Sequence, residues 1–241
     1  MSQRDPIERS EELPLVHVAR PPRAATADRP PLLLQLHGKG SNERDLFRFA
    51  DLLDPRFLVL SVRAPIVRGP DSFAWFDVQF LPGGIASNPE QLRDQLRDSR
   101  DRIVQFIGKA TAIYGVDPQR IYLMGFSQGA TMSLTTMLTS PATVAGVAAL
   151  SGRILTETLP WIAPEEELAG MPVLVAHGTA DQVISIEHAR STHQVLERLP
   201  VELTYREYNM SHTISDQTFS DTSEWLTAHL DAPRRAHDGA Q

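Results

Sequence analysis

Short, strongly apolar runs alternate along the chain with longer stretches in which apolar residues recur at helical spacing. An apolar run predicts a buried strand, because a strand covered on both faces is hydrophobic at consecutive positions. The predicted strands are 15–19, 31–36, 57–62, 121–125, 144–150, 172–176 and 201–208. The predicted helices are 43–53, 90–114, 128–138, 187–199 and 215–230. This alternation predicts an α/β fold with a mostly parallel central sheet and helices on both of its faces.

Both ends of the chain differ in character from the body. Residues 1–12 and 231–241 are polar and charged, so we expect flexible tails there. Residues 13–230 contain no internal repeat and no low-complexity segment, and we predict that they form a single domain. One stretch within them, 63–89, is rich in proline, glycine and aromatic residues, and connections of that length are often lids or binding loops.

Composition excludes several classes of function. The 241 residues carry 30 acidic and 23 basic side chains, a net charge of -7, which argues against nucleic-acid binding and against an anionic membrane surface. There is no cysteine, which excludes disulfides, a thiolate nucleophile and cysteine metal sites. The first residues lack an apolar signal region, and no run reaches the length of a membrane span. We therefore expect a cytoplasmic protein with no stable membrane insertion.

One serine lies where a predicted strand passes directly into a predicted helix. Apolar residues run up to Gly125, the helical pattern starts at Gln128, and Ser127 falls between them. Residues 125–129 fit the pattern G-x-S-x-G, a sharp turn that exposes a nucleophilic hydroxyl while its glycines let strand and helix approach closely. A surface turn with an ordinary serine would carry the same letters, so the hypothesis depends on this position between strand and helix.

Polar residues collect after the predicted strands, where an open parallel sheet places its ligand sites. A serine hydroxyl needs a base to take its proton, and the base needs a carboxylate to fix its tautomer and stabilise its cationic form. Asp181 follows one predicted strand and His212 follows the next. With Ser127 they give the chain order serine, aspartate, histidine, which predicts a catalytic triad.

The remaining histidines and aspartates fit a catalytic role less well. Five histidines are expected on solvated surfaces, on predicted helices or near the chain ends: His17, His188, His193, His229 and His237. His177 ends a strand and is expected to be structural. Asp216 and Asp221 are expected to be charges of the last helix. His37, His177 and His212 lack the spacing of a metal site, so no metal is predicted.

Five segments of the chain occur together in one enzyme family. They are Leu36-His37-Gly38-Lys39-Gly40, Ala74-Trp75-Phe76-Asp77, Gly125-Phe126-Ser127-Gln128-Gly129, His177-Gly178-Thr179-Ala180-Asp181 and Met210-Ser211-His212. Over about residues 30–230, they resemble the successive motifs of the phospholipase/carboxylesterase family, which includes the acyl-protein thioesterases. The sequence departs from the family pattern at Ala130, Ser185 and Ser211, none of which is a catalytic group.

The resemblance implies an α/β-hydrolase fold without a large cap domain and activity on carboxylic ester or thioester bonds. It also implies that Ser127, Asp181 and His212 form the triad, and that the N–H groups of Lys39 and Gln128 form the oxyanion hole. The Lys39 side chain itself is predicted to be solvated.

Apolar side chains near the same edge of the sheet raise the question of an acyl-binding groove. Six could line it: Phe73, Trp75, Phe76, Leu81, Ile85 and Met210. The alternative is that these side chains pin the loop 63–89 onto the body, and the sequence favours neither interpretation. Only 153–170 separates two predicted strands, which leaves no room for a cap domain there, so we predict an open groove.

We therefore predict a serine hydrolase that cleaves carboxylic esters of short- to medium-chain acyl groups through an acyl-enzyme. Its partner would be a small-molecule or lipid-like ester, and no cofactor is predicted. A serine acyltransferase and a non-catalytic hydrolase-like binding protein are the alternatives. The sequence leaves open the physiological substrate, the choice between ester and thioester, and whether the protein forms a homodimer.

Overall fold

The computed structural model of the protein describes residues 7–8, 12–24, 29–81, 84–86 and 88–232. Its strands are β1 (Ile7–Glu8), β2 (His17–Arg20), β3 (Leu32–Leu36), β4 (Leu58–Val62), β5 (Ile66–Gly69), β6 (Ser72–Ala74), β7 (Gln79–Leu81), β8 (Gly84–Ala86), β9 (Ile121–Phe126), β10 (Gly146–Leu150), β11 (Pro172–Gly178) and β12 (Glu202–Tyr208). Eight of them form one sheet in the order β1-β2-β4-β3-β9-β10-β11-β12. β1 pairs antiparallel with β2, and β2 pairs antiparallel with β4. From β4 to β12, every neighbouring pair of strands in the sheet is parallel. The predicted mostly parallel sheet is confirmed.

The helices connect these strands across both faces of the sheet. The α-helices are α1 (Pro89–Tyr114), α2 (Gln128–Thr139), α3 (Glu165–Leu168), α4 (Ile186–Leu196) and α5 (Asp216–Asp231). Three short 3-10 helices lie at Leu46–Leu52, Pro141–Thr143 and Thr156–Trp161. Nothing in the described part of the chain is both long and apolar enough to be a membrane-spanning helix.

The ends of α1 are determined by its sequence. The Asn88 side chain accepts hydrogen bonds from the N–H groups of Glu90 and Gln91, and Pro89 occupies the first turn, where its missing N–H is not needed. The helix ends at Gly115, which has φ 64° in the left-handed region that favours glycine. This long amphipathic helix is confirmed within one residue of its predicted bounds.

Two hydrophobic layers hold the sheet between helices. On one face, alternate residues of the central strands pack with α1 and α2, and Leu196 of α4 joins the same cluster. On the other face, the intervening residues pack with Trp225 and Leu226 of α5 and with Ala50 of the first 3-10 helix. Every residue of β3, β4, β10 and β11 is buried, as expected for strands covered on both faces. The carboxyl ends of the central strands therefore open at one edge.

Two segments differ from the sequence prediction. The segment 43–53 forms a 3-10 helix only at Leu46–Leu52. It follows a turn in which the Asn42 side chain accepts a hydrogen bond from the N–H of Arg44. The stretch 63–89 contains two antiparallel hairpins, β5–β6 and β7–β8, rather than an unstructured loop. The first hairpin turns at Asp71, which has a positive φ of 53°.

The predicted flexible tails fall mostly outside the described residues. Ile7–Glu8 is the exception, because it pairs with Val18 and His17 at the edge of the sheet. The prediction of a wholly flexible segment 1–12 is therefore wrong for these two residues. Residues 1–6, 9–11 and 233–241 lie outside the described part of the chain.

Candidate active site

Ser127 occupies the turn between β9 and α2, as the sequence predicts. Its backbone has φ 55° and ψ -116°, a strained conformation for a residue with a side chain. The two flanking glycines are required by close backbone contacts: a Cβ on Gly125 would collide with the carbonyl of Gly129, and one on Gly129 with the carbonyl of Leu36. The turn thus holds the serine above the middle of the sheet.

The structure brings Ser127, Asp181 and His212 together, although 85 residues separate the serine from the histidine. Oγ of Ser127 lies 3.0 Å from Nε2 of His212, and Nδ1 of His212 lies 2.6 Å from Oδ2 of Asp181. The imidazole packs on the Phe126 ring with 4.9 Å between ring centroids. Hydroxyl, imidazole and carboxylate form one continuous hydrogen-bonded chain, which is the arrangement that activates a serine for attack.

The Asp181 carboxylate is held from two sides in addition to its contact with the imidazole. Its Oδ1 accepts the N–H groups of Val183 and Ile184 at 2.8 and 2.9 Å. Nε2 of His177 lies 3.3 Å from Oδ2 and donates to the carbonyl of Ile184 at 2.8 Å. His177 is fully buried, and its Nδ1 has no hydrogen-bond partner among the described residues. Its contact with the acid was missed by sequence reasoning, which had placed it only as structural.

The turn after β3 lies beside the serine. Gly38 is so close that a Cβ there would be 3.4 Å from Cβ of Ser127. Nδ1–H of His37 donates to the carbonyl of Gly38 at 2.7 Å, and its Nε2 accepts the N–H of Ala64 at 3.0 Å. Burial lowers the pKa of His37, in agreement with a neutral ring in this role. The histidine thus fixes the backbone that leads into Lys39.

Gln128 opens α2, so its N–H is among those without an acceptor inside the helix. The Gln128 side chain is fixed: its Nε2 donates to the carbonyl of Phe76 at 2.9 Å and its Oε1 accepts the N–H of Trp75 at 3.1 Å. The residue next to the serine therefore ties the aromatic segment after β6 to the first turn of α2. Sequence analysis had predicted only a backbone role for Gln128.

A profile of the phospholipase/carboxylesterase family matches residues 24–230. The chain belongs to this family. A probable carboxylesterase of Oryza sativa subsp. japonica is 28% identical over 230 residues, covering 89% of this chain and 84% of that protein. Acyl-protein thioesterase 1 of Debaryomyces hansenii is 27% identical over 157 residues, covering 63% and 65%. The crystal structure of a carboxylesterase from Mesorhizobium loti aligns with a TM-score of 0.76 at 22% identity, covering 92% and 98%. The predicted family and α/β-hydrolase fold are confirmed.

Within this esterase-family fold, the aromatic residues predicted to line a groove are core residues. Trp75 is fully buried, and Phe73 and Phe76 are 8% and 3% exposed within the main hydrophobic cluster. The indole Nε1–H of Trp75 donates to the carbonyl of His37 at 2.9 Å. Burial alone does not exclude contact with a substrate, because Ser127, the predicted nucleophile, is itself only 7% exposed, so a groove role for these three side chains stays a prediction. Their burial favours the alternative, in which they pin the segment to the body.

The other predicted groove residues have different fates. Met210 is half-buried in the loop that carries His212, and its sulfur accepts a hydrogen bond from Thr218 at 3.1 Å. The side chains of Leu81 and Ile85 lie outside the described part of the structure. Val183, in the loop of the acid, is 49% exposed and adds apolar surface near the triad that sequence reasoning missed.

The Lys39 side chain is exposed, as the sequence predicts, and it is also tethered. Its ammonium donates to the carbonyl of Val78 at 2.6 Å, which ties the turn after β3 to the segment between the two hairpins. Burial and the nearby charge of Arg68 lower the pKa of Lys39. The lysine therefore steadies the same backbone that the resemblance assigns to the oxyanion hole.

Two further features lie apart from the triad. A cavity of about 540 Å³ opens beside the first half of α1, and its walls are mainly acidic and amide side chains: Ile66, Asn88, Glu90, Gln91, Asp94, Gln95 and Asp98. No triad residue lines it. In the part of the chain that the structure describes, no group of three or more histidine, aspartate or glutamate side chains could hold a metal ion.

Proposed function

We propose that the protein hydrolyses carboxylic esters of short- to medium-chain acids through an acyl-enzyme on Ser127. One observation supports this most directly, the continuous chain of hydrogen bonds from Oγ of Ser127 through His212 to Asp181. Membership of the phospholipase/carboxylesterase family points to the same chemistry. The connection between β10 and β11 contains only a 3-10 helix and α3, so the site has no cap domain from that segment.

The reaction begins with proton transfer from the serine. Nδ1–H of His212 donates to Asp181, which leaves the lone pair of Nε2 free to accept the hydroxyl proton as Oγ of Ser127 bonds to the ester carbon. The carbonyl π electrons move onto its oxygen, where the N–H groups of Lys39 and Gln128 would stabilise the negative charge. The imidazolium then protonates the leaving alkoxide as the carbon–oxygen bond breaks. Water repeats the sequence on the acyl-enzyme, releases the acid and restores the serine.

Thioesters are a second candidate substrate class. The similarity to a protein named acyl-protein thioesterase 1 favours them, and the mechanism differs only in the sulfur leaving group. A matched pair of substrates, para-nitrophenyl octanoate and octanoyl-coenzyme A, separates the two classes. We expect turnover of the oxygen ester, and the thioester rate relative to it gives the preference.

A fluorophosphonate probe tests the nucleophile directly. We expect covalent labelling of the wild-type protein at Ser127 and none in Ser127→Ala. The same substitution should lower kcat/KM for para-nitrophenyl butyrate by about 10⁴-fold or more, since triad members act as a unit. Ser191→Ala is the matched control, because Ser191 is exposed on α4 and its hydroxyl bonds only the carbonyl of Glu187. An unlabelled wild type, or a Ser127→Ala variant that keeps most of its activity, would contradict the proposal.

Location, assembly and domain organisation remain predictions of the sequence. We propose a cytoplasmic enzyme, to be tested by cell fractionation, and the proposal fails if activity sediments with membranes or is found outside the cell.

Sedimentation equilibrium distinguishes a homodimer from a monomer. Limited proteolysis tests the single domain, for which we expect one stable fragment spanning about residues 13–230.

A further inference from the structure

Arg153 emerges between the two strands that carry the nucleophile and the acid. β10 lies between β9 and β11 in the sheet, and all three strands run parallel. Ser127 follows β9, Asp181 follows β11, and the chain leaves β10 through Ser151 and Gly152 into Arg153. The arginine therefore starts from the same sheet edge as the triad, in the position between its members.

The backbone at Arg153 is fixed against the turn of the nucleophile. A Cβ on Gly152 would lie 3.0 Å from the carbonyl oxygen of Ser127 and would collide with Cβ of Ala130. The N–H of Arg153 donates to Oγ1 of Thr131 at 3.4 Å, in the first turn of α2. The backbone of the half-buried arginine therefore lies directly beside the nucleophile turn.

The Arg153 guanidinium has no carboxylate partner in the part of the chain that the structure describes. Its one described contact is from a terminal nitrogen to the ring of His188, at 3.1 Å from both Nδ1 and Nε2. Among the described residues, no carboxylate pairs with it, although Glu157 is near enough to oppose the lowering of its pKa by burial. Each nitrogen of the Arg153 guanidinium is either open to solvent or already hydrogen-bonded. Because Arg153 is only half-buried, part of its side chain is open to a group that arrives from solution.

His188 does not neutralise this charge. Burial lowers the pKa of His188 most, and the charges of Arg153 and His177 lower it further. The lowered pKa favours a neutral His188 ring near pH 7. The acidic residue beside it, Glu187, bonds Arg190 at 3.0 Å. His188 also lies in the first turn of α4, whose amino end adds positive potential. A partly desolvated arginine is thus left with a neutral neighbour, an arrangement that an external anion would stabilise.

We propose that Arg153, oriented by His188, binds an anionic group of the substrate, so that esters bearing a second negative charge such as a carboxylate are preferred over neutral esters. This deepens the proposed function, because it takes Ser127 as the reacting centre. The chain as a whole carries a net charge of -7, which repels anions, so any such preference must come from a local cation.

The test compares esters that differ only in the charge. On the acyl side, para-nitrophenyl hydrogen adipate is compared with para-nitrophenyl hexanoate. On the alcohol side, the butyrate ester of para-hydroxybenzoate is compared with that of its methyl ester. We expect Arg153→Met to lower the ratio of kcat/KM, anionic to neutral, by about tenfold on one of the two sides, as expected for a charge-assisted hydrogen bond. The side that responds tells which part of the substrate meets the arginine.

Matched variants separate charge from packing. Arg153→Lys should keep the ratio within about threefold of the wild type, since it retains a cation but not the planar guanidinium. Glu157→Gln, which removes an opposing charge, should raise the ratio. Arg23→Met is the control for charge loss elsewhere, because the Arg23 backbone N–H bonds the carbonyl of Pro55, before β4 begins, and its exposed side chain pairs with Asp51. A ratio unchanged by Arg153→Met on both sides, or an equal loss for charged and neutral esters, overturns the proposal.

A binding measurement distinguishes failure of this proposal from failure of the proposed function. Calorimetric titration of monomethyl adipate into Ser127→Ala needs no turnover. We expect binding that is about tenfold weaker when Arg153→Met is added. If binding of monomethyl adipate depends on Arg153 but the wild type hydrolyses no ester, the anion site is supported and the esterase function is refuted. If the wild type hydrolyses esters but binding does not depend on Arg153, the esterase function is supported and the anion site is refuted.

Discussion

The two halves of the triad are built in different ways. Ser127 lies on a turn between the fully buried centre of the sheet and α2, and glycine contacts with the backbone on both sides fix it. His212 lies on a loop after β12, the last strand of the sheet, in which no residue is fully buried. The nucleophile is therefore part of the core, whereas the base is carried on the periphery and held mainly by hydrogen bonds.

The two halves of the triad should therefore respond differently to mutation. A perturbation near the serine must disturb the packing of β3, β9 and α2, so it should be measured first as a loss of folding stability. A perturbation near the histidine moves a loop with few buried contacts, so it should be measured first as a loss of rate.

Two glycine substitutions give the sharpest contrast. Gly129→Ala would place a Cβ against the carbonyl of Leu36 in the middle of the sheet, and we expect a loss of about 4 kcal/mol or more of unfolding free energy. Gly178→Ala would place a Cβ against the carbonyls of Met210 and Ser211, directly before His212. There the loop can shift, so we expect a folded protein with kcat reduced about tenfold or more.

Urea unfolding and kcat/KM for para-nitrophenyl butyrate, measured on both glycine variants, test whether one variant loses stability and the other loses rate. Gly108→Ala is the control, because a Cβ at Gly108 on α1 meets nothing within 4 Å. The division of the site fails if Gly129→Ala folds normally, or if Gly178→Ala loses stability without loss of rate.

The ion pair between Glu43 and Arg63 supports the nucleophile side. Both carboxylate oxygens of Glu43 accept from Arg63 at 2.6 Å, and the carboxylate is 1% exposed. We expect Glu43→Gln to cost about 3 kcal/mol of unfolding free energy, because it leaves Arg63 partly buried and unpaired. Glu187→Gln, which breaks an exposed pair with Arg190, should cost no more than about 0.5 kcal/mol.

The same ion pair gives a pH dependence of stability. Burial is the largest single influence and would raise the pKa of Glu43, but the hydrogen bonds from Arg63 and from the backbone, together with the charges of Arg63 and Arg44, outweigh it and hold the pKa below its ordinary value of 4.5. The stabilisation is therefore fully present above pH 4.5 and is lost as the pH falls through the lowered value. Urea unfolding at several pH values should show the gap between wild type and Glu43→Gln narrowing below pH 4.5. A gap that stays constant into the acid range would contradict this account.

Much of this arrangement could be predicted from the sequence. The strand ends that carry Ser127, Asp181 and His212 follow from apolar runs alone, because parallel strands share a carboxyl edge. The contact between Arg153 and His188 could not, because it joins residues 35 positions apart through the packing of α4 beside the sheet. No local pattern encodes such a contact.

The stretch 63–89 shows a second limit of sequence reasoning. Its first hairpin, β5–β6, turns at Asp71, a residue that the sequence does not distinguish from the prolines and aromatics around it. The burial of Trp75 depends on acceptors and donors supplied by His37 and Gln128, which are 38 and 53 residues away. Apolar character alone therefore left both a groove and an anchor open, and these hydrogen bonds favour the anchor.

His177 tests the acid–base side by its effect on rate. We interpret it as a positioning residue, since it bonds the carbonyl of Ile184 and lies 3.3 Å from the Asp181 carboxylate. His177→Leu should lower kcat about tenfold through displacement of the acid. The acidic limb of the pH profile of kcat/KM should also move to lower pH, because a more distant carboxylate stabilises the cationic imidazole of His212 less. His177→Gln, which keeps a donor, should restore most of the rate. A lower melting temperature with an unchanged pH profile would leave His177 only structural.

Trp75 gives the smallest effect and tests the anchor interpretation on the nucleophile side. Trp75→Phe removes the donor to the carbonyl of His37, a bond of 2.9 Å, and leaves a small void in the core. We expect a loss of about 1–2 kcal/mol of unfolding free energy with kcat/KM nearly unchanged across nitrophenyl esters from acetate to octanoate. Trp161→Phe is the control, because the half-exposed Trp161 packs under Arg97 on the surface and should change stability by no more than about 0.5 kcal/mol. If Trp75→Phe instead altered the preference for acyl length while stability held, the indole would be in contact with substrate. The nucleophile side would then contain a binding wall as well as a core.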